Sequence, residues 1–346
     1  MSVGDLVKNY LTKHTKAKNP NVDIPKDKWG LIRDNIDSTT VDLDLDTFLL
    51  HVWLSKYEFT TTKTLFKKVK NTIKSGQAKT FLDELLEDSE IYKTIFDTQL
   101  RKWSKNEFPL KASLDALYTF KVTQQAPMVL SVMREYQLGN LKFKHVIEIL
   151  EAIEHFHYIF TAITSQRSSG GIASMYSNYA RQLSSATEDS SRSKIIRELR
   201  IRMREKIPTY EEFLASFKTL RFTNDYTKQK KIIQYTLGKI DRHFNQNGLA
   251  INYDLMTLEH ILSQNPKNKG ANHEEHVGLM GNLIFIDEKT NNTMGNKSFS
   301  EKIKILKESG IYLDDILKNV AKWDDAEIEK RTEKLASLAF TKVFKI

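Results

Sequence analysis

The 346-residue chain is 40% hydrophobic and 28% charged, which suits a folded protein of two ordinary-sized domains and excludes a disordered or fibrous one. It has no cysteine, so a disulfide framework and any thiolate metal site are excluded. Its 53 Lys and Arg against 44 Asp and Glu leave a net charge of +9, which suits a polyanionic partner such as nucleic acid and equally an inert basic surface.

The N-terminus, MSVGDLVKNYL, lacks the apolar core and cleavage site of a secretory signal. No apolar run approaches the roughly 18 residues of a membrane span. A cytoplasmic protein with no membrane partner is expected. Residues 1–245 read as one helical domain. Residues 43–57 carry an apolar face at helical spacing (Leu45, Phe48, Leu49, Val52, Trp53), and residues 81–96 and 141–163 repeat the habit. Only six Pro and thirteen Gly interrupt the chain, and alternating runs are few, so a mostly α fold with a helical bundle is predicted. Residues 165–171 break the pattern. Residues 184–193 (SSATEDSSRS) read as a polar loop ending in a helix cap. The segment after it, KIIRELRIRMREK, places Ile195, Ile196, Leu199 and Met203 on one face and Arg197, Arg200 and Arg204 away from it. A solvated amphipathic helix is favoured there over a phosphate-contacting one.

Near residue 245 the character changes, and residues 246–346 read as a second, α+β domain. Gly248 and Asn252 punctuate the chain, residues 255–258 suit a short strand, and residues 265–275 are loop-like. GNLIFID, residues 281–287, reads as a second strand, and Asp287 suits a cap for the segment after it. Residues 299–309 read as a helix stopped by Gly310, and two more helices close the chain.

Chemistry concentrates in this strand–loop–strand–helix unit. Glu259 and His260 end the first strand, Asn282 opens the second 22 residues later, and Asn291 comes after nine more, with Lys297 and Lys302 nearby. Phosphodiester hydrolysis needs such groups: a neutral imidazole to take a proton from water, and a cation to offset charge on the leaving oxygen. A hard cation such as Mg²⁺ prefers oxygen ligands, which Glu259 and Asn291 offer. Neighbours on a strand point to opposite faces, so how Glu259 and His260 would share one site stays open here. Alone, His260 would read as a structural histidine. His273 and His276 lack the four-residue helical spacing of a zinc pair, and His51, His155 and His157 read as packing residues.

The phrases LEHILSQNP, HVGLMGNLIFID and NNTMGNKSF, with Lys302 after them, resemble the HNH, or ββα-metal, nuclease motif, and most closely the C-terminal nuclease half of GmrSD-type modification-dependent restriction proteins. Trp323, Ile328, Arg331 and residues 335–344 resemble that family's tail. The resemblance implies a general base at His260, a metal ligand at Glu259, a loop-fixing Asn at Asn282 and a second metal-side residue at Asn291. It matches Lys302 to a catalytic-site lysine, and His276, Asn296 and Lys297 to substrate-side positions. Ser263 stands where relatives carry Pro, a change expected to alter a turn. The implied activity is an Mg²⁺- or Mn²⁺-dependent DNA endonuclease, nicking as a monomer, in bacterial defence against phage or modified DNA. A ParB-like nucleotide-binding domain or subunit is implied as a partner outside this chain, because no D-G-Q-Q-R phrase is present. The alternative is a nucleic-acid- or partner-binding helical module whose HNH site is inactive or partner-dependent.

Overall fold

The computed structural model describes residues 2–15, 24–40, 43–166, 171–244, 255–265 and 272–346. The punctuation at Gly248 and Asn252, the centre of the 265–275 loop and most of the 165–171 break lie outside the described residues. Helices dominate, as the scarcity of breakers predicts. They are α1 (Val3–Thr15), α2 (Ile24–Asp37), α3 (Leu45–Lys56), α4 (Thr62–Thr72), α5 (Ala78–Phe96), α6 (Phe108–Thr119), α7 (Ala126–Gln137), α8 (Phe143–His157), α9 (Gly171–Ser185), α10 (Asp189–Arg204), α11 (Tyr210–Phe217) and α12 (Lys230–Phe244). The strands β1 (Met256–His260) and β2 (Leu283–Asp287) are separated by α13 (His273–His276). Then come α14 (Glu288–Met294), α15 (Phe299–Glu308), α16 (Asp315–Asn319) and α17 (Asp325–Leu338).

Two compact units emerge: residues 1–154 with 167–206, and residues 155–166 with 207–346. The boundary expected at residue 245 falls inside the second unit. In the first unit α3 is central and packs on α4, α5, α7 and α9. It buries Phe48, Leu49, Val52, Trp53 and Leu54, more than one face, because a helix enclosed by neighbours has no solvent side to keep polar. Asp44 caps it by accepting from the backbone of Asp46 and Thr47.

The polar stretch 184–193 is not the loop its composition predicts. Helix α9 runs to Ser185 and α10 begins at Asp189, so only three residues connect them. Tertiary hydrogen bonds outweigh the local preference of serine for turns: Ser184 Oγ lies 3.0 Å from Ser131 Oγ and accepts from Arg134 at 3.3 Å. The α10 arginines are largely engaged, Arg200 with Glu148 at 2.5 Å and Arg202 with Glu205 at 2.9 Å, which favours the amphipathic over the phosphate-binding reading. Helix α8 passes directly into a π-helical turn, Tyr158–Ile163, so the segment 143–163 is close to unbroken.

In the second unit the two strands form an antiparallel ladder with Glu259 opposite Ile284 and His260 opposite Leu283. Helix α14 packs against both strands. Ile284, Ile286, Met294, Ile303, Leu306, Leu317 and Ile328 form the core beneath them. Asp287 caps α14 through the Thr290 amide, as predicted, and Gly310 comes after α15 with a φ of 75°, where a side chain would be strained.

Candidate active site

Strand β1 alternates buried and half-buried residues from Met256 to His260. Strand geometry therefore sends the His260 side chain inward and the Glu259 side chain to the other face. Two contacts orient His260. Its Nε2 lies 2.9 Å from the Phe222 carbonyl, and its ring stacks on the Phe222 ring at 5.7 Å and 21°. A carbonyl only accepts, so Nε2 carries the proton and Nδ1 keeps its lone pair. Phe222 is itself fixed, its N–H donating to the Gly278 carbonyl at 2.8 Å, while the Lys230 ammonium sits 5.5 Å from its ring centroid. Burial lowers the His260 imidazole below its ordinary value, outweighing the Phe222 hydrogen bond and the Glu259 charge that act to raise it. The imidazole is thus neutral near pH 7.

The free nitrogen is not idle. The Gln264 amide donates to Nδ1 at 3.3 Å, and its oxygen accepts from the Asn224 N–H at 2.9 Å. No sequence motif marks Phe222, and the phrase LEHILSQNP contains Gln264 without giving its role. A backbone carbonyl leaves no residue signature, and Gln264 is silent without its partner 40 residues away.

Asn282 ends a 3-10 turn, Met280–Asn282, directly before β2. Its amide is fully used. The oxygen accepts from the Leu262 N–H at 2.7 Å and Trp323 Nε1 at 3.0 Å, and the nitrogen donates to the carbonyls of Leu262 (3.0 Å) and Val277 (2.7 Å). It staples the chain just beyond His260. Helix α17 grips the same turn. Arg331 donates to the carbonyls of Gly281 (2.6 Å) and Leu283 (2.8 Å) and pairs with Asp314 at 2.7 Å, while Thr332 accepts from the Gly281 N–H at 3.0 Å. Burial alone would raise Asp314, but the Arg331 guanidinium and the amides of Leu317 and Ile316 hold its carboxyl below the usual range. A Cβ at Gly281 would lie 2.0 Å from the Ile328 carbonyl, so only glycine permits this approach.

On the opposite face of β1, the buried Lys302 ammonium donates to Glu259 Oε1 at 2.9 Å and to the His260 carbonyl at 2.7 Å. Lys302 thereby joins the two neighbours that the strand sends apart. The second Glu259 oxygen has no hydrogen-bond partner among the described residues. Asn291 lies half-buried on α14, and no hydrogen bond ties its side chain to Glu259 or His260 among those residues. No group of three His, Cys, Asp or Glu gathers among them. One carboxylate oxygen and one amide suit a hard cation that keeps most of its waters.

The remaining predicted residues spread out. His276 donates from both nitrogens, to the Asn272 carbonyl at 3.0 Å and to Glu329 at 2.9 Å. Burial would lower it, but Glu329, the Asn272 carbonyl and Asp325 prevail and raise it. His273 lies 3.2 Å from the Gln264 carbonyl. Asn296 accepts from Ser263 Oγ at 3.1 Å, and Ser263 Oγ also accepts from the Asn265 N–H at 3.2 Å, which makes the Ser263 turn a hydrogen-bonded one. Lys297 is exposed and donates to the Thr293 carbonyl. His51 bonds Tyr92 at 2.8 Å, His155 reaches the Lys345 carbonyl at 3.1 Å and His157 bonds Thr161 at 2.9 Å, all packing roles as predicted.

No curated protein matches the chain. Residues 208–338, which run from just before α11 to the end of α17 and hold every candidate site residue, match the family described as GmrSD restriction endonucleases, C-terminal domain, so the resemblance to the nuclease half of those proteins is established over that segment.

Proposed function

We propose that this protein is a metal-dependent DNA endonuclease of the HNH type that nicks foreign or modified DNA in bacterial defence. The observation that carries the reading is the neutral His260, its proton fixed on Nε2 by the Phe222 carbonyl, at the end of β1 in a unit ordered β1, β2, α14. The match to a family described as restriction endonucleases supports it. His260 Nδ1 is the general base that takes a proton from the attacking water. Glu259 and Asn291 would hold Mg²⁺ or Mn²⁺, which when bound supplies Lewis-acid charge to the scissile phosphate. Lys302 positions Glu259 and the strand end, and Asn282 positions the loop beyond His260. Asn296, Lys297 and His276 are the substrate-side residues of this reading.

A partner-dependent site is the second reading, favoured by the Gln264 amide on Nδ1 and by the low exposure of His260, 4%. The deciding experiment incubates supercoiled plasmid with Mg²⁺ or Mn²⁺ and either wild type or His260→Ala. Nicking that vanishes with EDTA and falls on the order of 10²–10⁴-fold in the variant supports the enzyme. Equal inertness of both proteins rejects autonomous activity. Activity that then appears only with a nucleotide-binding partner selects the second reading, and cleavage of RNA in preference to DNA rejects the substrate class.

A further inference from the structure

Beside the candidate site lies a groove of about 570 Å³, within the roughly 300–1,000 Å³ range of ligand pockets. One rim is the loop after β1, with Ser263 and Asn265, and the other is the chain entering α15, with Asn296, Lys297 and Ser300. Lys322 also lines it, and no lining residue is acidic. The polar cavity of the first unit differs from it, since Glu84, Glu87, Asp88 and Glu135 line that one beside Lys56, Arg134 and Arg181. The groove is therefore suited to an anion, and the other cavity much less so.

The groove is also tied to His260. Its floor holds Trp323, which donates to Asn282 at 3.0 Å and stacks on Phe299 at 5.3 Å and 12°. Asn282 in turn staples Leu262, and the Ser263–Asn296 hydrogen bond of 3.1 Å joins the rims. Ser263 lies three steps along the chain from His260, so their Cα atoms are at most about 11 Å apart. Nucleotides along one DNA strand rise about 3.4 Å each, so the groove sits within about three nucleotides of a phosphate at His260. Lys322 pairs with Asp324 at 3.5 Å, but its side chain is 83% exposed. Such a surface pair is weak and exchanges readily for a phosphate.

Resting on the nuclease reading, we propose that this groove holds a nucleotide of the cut DNA strand flanking the scissile phosphate. Lys297 and Lys322 take phosphate oxygens, and Ser263, Asn265, Asn296 and Ser300 offer polar contacts to sugar or base.

The test uses the full chain with His260→Ala, so that DNA is bound and not cut, and a fluorescein-labelled DNA oligonucleotide read by anisotropy over a salt series. Adding Lys297→Ala with Lys322→Ala should weaken binding at least about tenfold and reduce the salt slope by about 2, one phosphate per lysine. Ser300→Glu, which leaves both lysines in place, should weaken binding in the same direction, and Lys79→Ala in the first unit should change neither quantity. Unchanged affinity and slope in the double variant and in Ser300→Glu would overturn the groove. Plasmid nicking by the wild type separates the two readings. If the wild type nicks while the groove variants bind normally, the groove assignment alone fails. If nothing nicks, with or without a nucleotide-binding partner, but the groove variants lose DNA, the groove stands as a DNA-binding groove and the nuclease reading fails.

Discussion

The imidazole of His260 and the carbonyl of Phe222 lie 2.9 Å apart although 38 residues separate them in the chain. That single hydrogen bond selects the tautomer. It commits Nε2 to donation and leaves Nδ1 as the nitrogen that could accept a proton from water. It also holds the ring in place, because Phe222 stacks on one face of the imidazole and is itself bonded to Gly278. Burial does the rest, keeping the ring neutral near pH 7.

Gln264 covers that nitrogen in the resting site. Its amide donates to Nδ1 at 3.3 Å, a long contact that water must displace. Gln264→Ala should raise the single-turnover nicking rate about two- to fivefold, the worth of a weak hydrogen bond of roughly 0.5–1 kcal/mol. A rate that falls in the variant would show instead that Gln264 orients the attacking water.

Asn282→Ala should destabilise the second unit by on the order of 3 kcal/mol or more. The change strands two donors and two carbonyls that the amide satisfies in the interior, each costing about 1–3 kcal/mol before relaxation. Urea unfolding monitored by tryptophan emission measures it. A loss below about 1 kcal/mol would mean that water or the neighbouring chain replaces the staple.

Gly281→Ala should cost about as much. The added methyl would meet the Ile328 carbonyl at 2.0 Å and Thr332 Oγ1 at 2.4 Å, both on α17. The turn and helix must part, weakening the Arg331 bonds to the Gly281 and Leu283 carbonyls. A cost of about 3 kcal/mol is expected, at the upper end for overpacking, with early proteolysis of the second unit as the readout. Wild-type resistance would rule out a rigid contact here.

The pH dependence has two arms of opposite sign. His276 has a raised value in the folded protein, so its stabilisation is full below the ordinary 6.5 and is lost as pH rises through the folded value. Asp314 is lowered, so its stabilisation is present above the ordinary 3.8 and is lost as pH falls through the folded value. Urea midpoints measured across pH should therefore decline at both ends. His276→Gln should flatten the alkaline arm and leave the acid arm unchanged. An alkaline decline that persists in His276→Gln would assign that arm to another group.

Local periodicity settled the element types. The scarcity of Gly and Pro predicted helices, a short strand was expected at residues 255–258 with Glu259 and His260 at its end, and Asp287 and Gly310 marked where helices begin and stop. The candidate residues were legible for the same reason, since their side chains and spacings are written in the chain. What only the tertiary structure decided are the bonds between distant segments. Phe222 fixes the tautomer of His260, Lys302 bridges two residues that the strand points apart, and α17 holds the turn before β2 through Arg331. Packing likewise turned most of the serine-rich 184–193 stretch into helix, leaving three residues between α9 and α10. Backbone carbonyls and amides are the same at every residue, so the sequence carries no mark of which one a distant side chain will meet. That choice is made by how the helices pack.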